Sequence, residues 1–167
     1  MDARFISLTG LLLAAGVLFP LVFHQFGIAG RIFLPMHIPV FLAGLVLGPW
    51  AGLLVGALSP GLSSLLTGMP IAAYAIPMTP ELAIYGLISG LLYKGTRRSL
   101  WAALIGAMIA GRVVWCFTAV LIAPLLGFAG RSWSVAVLAL AVGWPGLVLQ
   151  LIFLPPVIMK VRRALAF

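Results

Sequence analysis

Residues Leu34–Pro70 read LPMHIPVFLAGLVLGPWAGLLVGALSPGLSSLLTGMP. Glycine recurs at every fourth position, at Gly44, Gly48, Gly52 and Gly56, and the register runs on through Pro60, Ser64 and Gly68. Small residues at this spacing line one helix face and let a neighbouring backbone come close. Helices pack that way where lipid has removed the hydrophobic drive for their association. Gly86 and Gly90, and then Ala102, Gly106 and Ala110, repeat the device downstream. The ladder predicts helices packed on one another inside a membrane; a partner membrane subunit is the other surface such a face can serve.

Composition agrees. Of 167 residues, 64% are hydrophobic and 7% charged, with a mean hydropathy of +1.27. A soluble domain needs about 25% charged residues to cover its surface, so most of this surface faces an apolar medium. At about 20 residues per crossing, the length suits six short spans. The expected fold is all-α and integral to the membrane, a six-transmembrane-helix bundle forming one domain over residues 1–167.

The spans divide where Gly, Pro and charge accumulate. Span 1 covers Phe5–Phe23 and reads as a retained helix, since no small-x-small cleavage site follows it. The polar connection His24–Leu34 leads to span 2, Pro35–Leu47. Gly48-Pro49 breaks the chain before span 3, Trp50–Leu66. A loop over Thr67–Thr79 precedes span 4, Pro80–Tyr93. The basic connection Lys94–Arg98 precedes span 5, Leu100–Leu126, and span 6 covers Trp133–Ile158. Spans 2 and 4 are short for a full crossing.

The net charge of +8 would suggest nucleic acid in a soluble protein. Here the cations fall between the apolar runs, as topology signals do, and no nucleic-acid partner is expected. With both termini cytoplasmic, the inner side holds Arg4, Lys94, Arg97, Arg98, Lys160, Arg162 and Arg163, against Arg31 and Arg131 outside. That bias sets the two longer connections on the outer face, a layout suited to receiving something from outside.

Few polar groups remain for chemistry within the spans. Glu81 has two readings. Behind Thr79-Pro80 it fits a helix start, with Thr79 as cap, Pro80 in the first turn and the carboxylate near the positive helix end; equally, it can face an outward pocket. Arg112 lies mid-way along span 5, where a lipid-facing arginine costs roughly 2.5–3.5 kcal/mol on insertion scales. It must therefore face protein or a cavity, and it pairs either with Glu81 or with an anionic group on a ligand. Trp115 follows one turn after Arg112 and can stack on a flat ligand; Tyr85 stands in the same relation to Glu81. His37, with Met36, Met69 and Met78, falls near the outer face. The set offers a hydrogen-bonding group for a pocket, or soft ligands for a metal or haem iron. Cys116, the sole cysteine, permits neither a disulfide framework nor a cysteine metal site. No phosphate-binding loop and no H-E-x-x-H or G-x-S-x-G motif occurs. Ser63 or Ser64 with His37 is the one arrangement an intramembrane enzyme could use, and neither a cofactor nor a metal is expected.

The block Leu34–Pro70, followed by TPELAIYGLISGLLY over Thr79–Tyr93, resembles the substrate-binding (S) components of energy-coupling factor (ECF) transporters, prokaryotic vitamin-uptake systems. It is most similar to the branch containing folate, pantothenate and hydroxymethylpyrimidine-type carriers. The resemblance implies a multi-pass protein of the prokaryotic plasma membrane, not itself an enzyme, that captures a vitamin or cofactor precursor on its outer face. It implies that the subunit then topples within the bilayer against a transmembrane coupling subunit driven by two ATPase subunits. Small residues on the family's first span form the docking surface, and the matching positions are Gly10 and Ala14; the family usually has alanine at both. By pattern alone that pair serves internal packing equally well. Pocket residues come from the outer loops and later spans, which marks His37, Tyr74, Glu81, Tyr85, Arg112 and Trp115. A tetrapyrrole or metal-containing ligand is an alternative cargo. A small membrane scaffold without transported substrate is the alternative of a different class.

Overall fold

The computed structural model describes residues 3–24, 34–128 and 133–165. Nearly all of them are helical, and among them there is no strand. Helix α1 is Ala3–His24. Helix α2 is His37–Leu42 continued by a π-helical turn, Ala43–Leu47. Helices α3 and α4 are Pro49–Thr67 and Ala72–Leu92. Helix α5 comprises Arg97–Phe117, a π-helical turn Thr118–Ile122 and Ala123–Leu125. Helix α6 is Trp133–Leu165. Most of the outer connection expected at His24–Leu34, together with Arg31 and Arg131, lies outside the described residues.

Among the described residues, five stretches are long and apolar enough to cross a bilayer: Ala3–Val22, Pro49–Thr67, Ala72–Leu92, Ser99–Leu125 and Gly143–Leu165. The expected second span is shorter. His37–Leu47 rises about 16 Å at 1.5 Å per residue, roughly half of a 30 Å hydrocarbon core. It ends at Gly48, whose φ of 108° turns the chain sharply, and Pro49 starts α3 in the helical position that needs no N–H.

The boundary of span 4 is corrected. The chain is already helical at Ala72, so the expected loop Thr67–Thr79 shrinks to a turn after Gly68, which caps α3 at φ 72°. Ser63 and Thr67 fasten this turn by donating to the Met69 carbonyl at 2.7 and 3.0 Å. Pro77 had suggested a loop and Pro80 a helix start, but both lie inside α4. Helices in a bilayer accommodate proline; the Thr79 hydroxyl, between the two prolines, donates back along the helix to the Ala75 carbonyl at 2.9 Å. Thr79 is therefore not a helix cap, and Glu81 lies more than two turns inside its helix.

The glycine ladder packs α3, α4 and α2 on one another. A Cβ at Gly52 would stand 2.5 Å from the Gly86 carbonyl oxygen, one at Gly56 would strike the Leu82 backbone, and one at Gly90 would lie 2.6 Å from Pro49 Cα. In α5 the packing series is shifted one residue from the expected Ala102, Gly106 and Ala110. Ala103, Ala107 and Gly111 are buried, whereas Ala102 is exposed. Both series repeat every fourth residue, and only contact with α4 selects between them.

Arg4 Nη2 donates to the Leu165 carbonyl at 2.9 Å, so α1 begins where α6 ends. At that same end Arg162 Nη1 donates to the Leu45 carbonyl at 3.0 Å. Its guanidinium lies 4.9 Å from the centre of the Tyr93 ring.

Candidate functional site

Three helices meet at a polar cluster in the bundle interior. His37 opens α2, its backbone N–H bonded to the Leu34 carbonyl at 3.0 Å. Glu81 and Tyr85 stand one turn apart on α4, and Arg112 comes from α5. Tyr85 Oη donates to Glu81 Oε1 at 2.8 Å. Arg112 Nη1 lies 3.2 Å from the same oxygen. His37 Nε2 is 4.0 Å from it, too far for a hydrogen bond. His37 and Glu81 are each 1% exposed and Tyr85 is fully buried.

Packing sets these positions. The Tyr85 ring stacks on Phe41 at 5.2 Å and 19° and meets the His37 ring at 5.1 Å and 49°. Gly111 makes room for the Tyr85 ring, which a Cβ at 111 would strike. On the far side of Arg112, Gly143 of α6 comes so near that a Cβ there would lie 2.9 Å from Nη2.

The cluster is under-satisfied. Among the described residues, neither ring nitrogen of His37 has a hydrogen-bond partner, and neither do Nε and Nη2 of Arg112. A buried polar group left unpaired costs about 1–3 kcal/mol, more when charged. A neutral imidazole offers one donor and one acceptor, and the guanidinium's remaining donors suit a carboxylate. The unused groups have the chemistry to take a small anionic or acceptor-rich group.

Of the residues expected at a site, His37, Glu81, Tyr85 and Arg112 are brought together. Trp115 is buried one turn beyond Arg112, in a second apolar cluster with Ala119 and Ala136. Tyr74 lies in the first turn of α4, 43% exposed, about 10 Å along the helix axis from Glu81. Gly10 faces open space, and Ala14 is exposed too; α1 packs instead through Gly16 and Val17, with Gly16 against Ser59. Among the described residues, nothing packs against Gly10. Ser63 is buried and its hydroxyl is engaged by Met69. Among the described residues, no group of three or more His, Cys, Asp or Glu could hold a metal. Sequence reasoning missed Phe41, one turn after His37 on α2, Gly111, next to Arg112 on α5, and Gly143 on α6; only Phe41, aromatic and one turn from His37, carried a local signal.

The described helices thus surround one buried, incompletely paired polar centre. The sequence profile of the substrate-specific component of ECF transporters matches residues 4–158. The chain belongs to that family. S components are substrate-binding subunits of transporters and not enzymes, so this one is a multi-pass membrane protein with a transported small-molecule substrate and an ECF module as partner. A search of curated proteins gives no significant match.

Proposed function

We propose that this S component captures a carboxylated vitamin or cofactor precursor at the His37–Glu81–Tyr85–Arg112 cluster. In this reading the ligand comes from the outer face of a prokaryotic plasma membrane. Delivery follows by toppling against a transmembrane coupling subunit powered by two ATPase subunits. The observation that carries the reading is the set of buried nitrogens on His37 and Arg112 without hydrogen-bond partners. A ligand carboxylate would complete them. Of the folate-, pantothenate- and pyrimidine-type ligands of the similar branch, the first two are carboxylates. Trp115 and Tyr74 flank the cluster along α5 and α4, towards the outer ends of those helices.

Six crossings with cytoplasmic termini remain our reading of the topology, α2 being a short sixth crossing. Its support is that α1 begins and α6 ends at one end of the bundle, the end where the basic residues near Tyr93 and Lys160 also gather. Gly10 and Ala14, exposed on α1, are the proposed docking positions for the coupling subunit.

Native mass spectrometry of the purified protein tests the capture, with a carboxylated ligand as the expected adduct. Gly10→Leu and Ala14→Leu should abolish co-purification with the coupling subunit and ATPases; a complex surviving both changes removes the docking assignment. The scaffold reading is favoured by one observation, the 3.2 Å approach of Arg112 to Glu81. It requires a double Glu81→Gln, Arg112→Gln variant to keep every function. A folded double variant that has lost uptake excludes it.

A further inference from the structure

Arg112 belongs to two features at once. Its guanidinium completes the polar cluster, and its side chain also lines a crevice of about 450 Å³ between α5 and α6. Around it stand Ile109, Val113, Cys116, Phe117 and Trp133. Phe117 and Trp133 meet edge to face at 5.7 Å across the seam. Ile109, Val113 and Phe117 are 61%, 50% and 52% exposed, so the crevice opens sideways, where lipid surrounds the bundle.

We propose that this crevice holds the body of the substrate while Arg112 holds its carboxylate, which makes the substrate a small amphipathic monocarboxylate with a hydrocarbon or aromatic body free of hydroxyl groups. The inference rests on the S-component reading of the cluster and narrows its substrate class, setting aside folate, a dicarboxylate, and pantothenate, which carries hydroxyl groups.

Three observations support it. The crevice volume falls within the roughly 300–1,000 Å³ of small-molecule sites. Among the described residues its lining offers, besides Arg112, one indole N–H on Trp133 and the weakly hydrogen-bonding sulfurs of Met108 and Cys116, and no side-chain oxygen acceptor. A hydroxyl buried there would lose its water without a good acceptor for its proton, whereas an alkyl or aryl body loses nothing. Finally, Arg112 has donors left for one carboxylate, since Nη1 faces Glu81 while Nε and Nη2 lack partners. With its charge already shared with Glu81, it offers nothing to a second carboxylate, so a dianion is disfavoured.

Access to those donors depends on α6. Gly143 brings the α6 backbone against Nη2, and two residues on, Pro145 cannot donate the helical hydrogen bond expected at its position. The helix thus lacks one backbone hydrogen bond close to where it covers the guanidinium, and a small shift there would join crevice and cluster.

The test uses the full chain in nanodiscs and ω-bromooctanoate, whose bromine quenches nearby tryptophan. Lipid partitioning gives a linear background, so the readout is the saturable component. It should be present with the carboxylate and reduced at least about 30-fold in affinity for ω-bromooctanamide, which partitions but lacks the charge. Trp133→Phe should remove the saturable quenching. Glu81→Gln, which frees Arg112 from its internal partner, should raise affinity about tenfold. Adding Arg112→Gln in that background leaves no uncompensated charge and should abolish binding. Equal affinity for the amide, saturable quenching that survives Trp133→Phe, or competition by a polyhydroxylated carboxylate as strong as by octanoate overturns the proposal. Co-purification with a coupling subunit is scored separately. A chain that assembles but binds no such carboxylate sinks this proposal and leaves the S-component reading standing. A chain that binds the carboxylate but never assembles does the reverse.

Discussion

Between α3 and α4, Gly52, Gly56 and Gly86 bring backbone onto backbone, with no side chain in between. Between α5 and α6 the close approach is Gly143 against a flexible guanidinium, with a crevice of about 450 Å³ beside it. The first seam has a single solution, because peptide groups cannot be repacked the way side chains can. The second tolerates rearrangement, because its walls are exposed side chains and its covering helix carries three prolines. The polar cluster sits where the two meet, with Glu81 and Tyr85 fixed by the tight seam and Arg112 shared with the loose one. A transporter subunit must hold its ligand on something rigid yet let it in and out, and this division supplies both.

The comparison can be broken at four points. Gly86→Leu forces a side chain into the Gly52 backbone, and should cost more than about 5 kcal/mol; the readout is loss of monodisperse protein on size exclusion in detergent. Arg112→Ala leaves Glu81 buried without its cation, a loss of about 3–5 kcal/mol seen as a lower melting temperature. The Glu81→Gln, Arg112→Gln pair should recover most of that loss. If the double variant is no more stable than Arg112→Ala, the ion pair is not what holds α5 to α4. Gly111→Val presses on the Tyr85 ring, and should cost about 1–3 kcal/mol by thermal melt while weakening ligand binding. Gly106→Ala is the control. Its Cβ would meet only Leu92 Cδ1, at 2.9 Å, and that flexible tip can move, so the change should stay within about 0.5 kcal/mol. A large effect there would mean that α5 packs on α4 as tightly as α3 does.

Much of this was legible in the chain. The four-residue glycine repeat announced backbone contact, and the contact is where the repeat lies. Glu81 and Arg112 were the only opposite charges inside apolar runs, and placing an ion in lipid costs enough that the two must find each other or a ligand. Three details were not legible. Pro77 suggested a loop and Pro80 a helix start where the helix runs through both, since a bilayer helix tolerates proline in ways the local sequence does not show. The register of small residues in α5 was off by one, because Ala102 and Ala103 are interchangeable until α4 chooses. The unused donors of Arg112 emerge only from counting partners in three dimensions.

By itself the sequence determined that this chain crosses a membrane repeatedly, where its closest helix contacts lie, and which few polar residues have to be explained. Those follow from composition, from periodicity and from the cost of burying charge, all of which are local. Tertiary structure alone decided that His37, Glu81, Tyr85 and Arg112 form one centre and that Trp115 and Tyr74 stand apart from it. It also decided that Gly10 faces outward and that Arg112 borders a crevice open to the side. Each of these depends on which faces of different helices are apposed, and helix–helix registry is set by close packing across the whole bundle, not by any one stretch of chain.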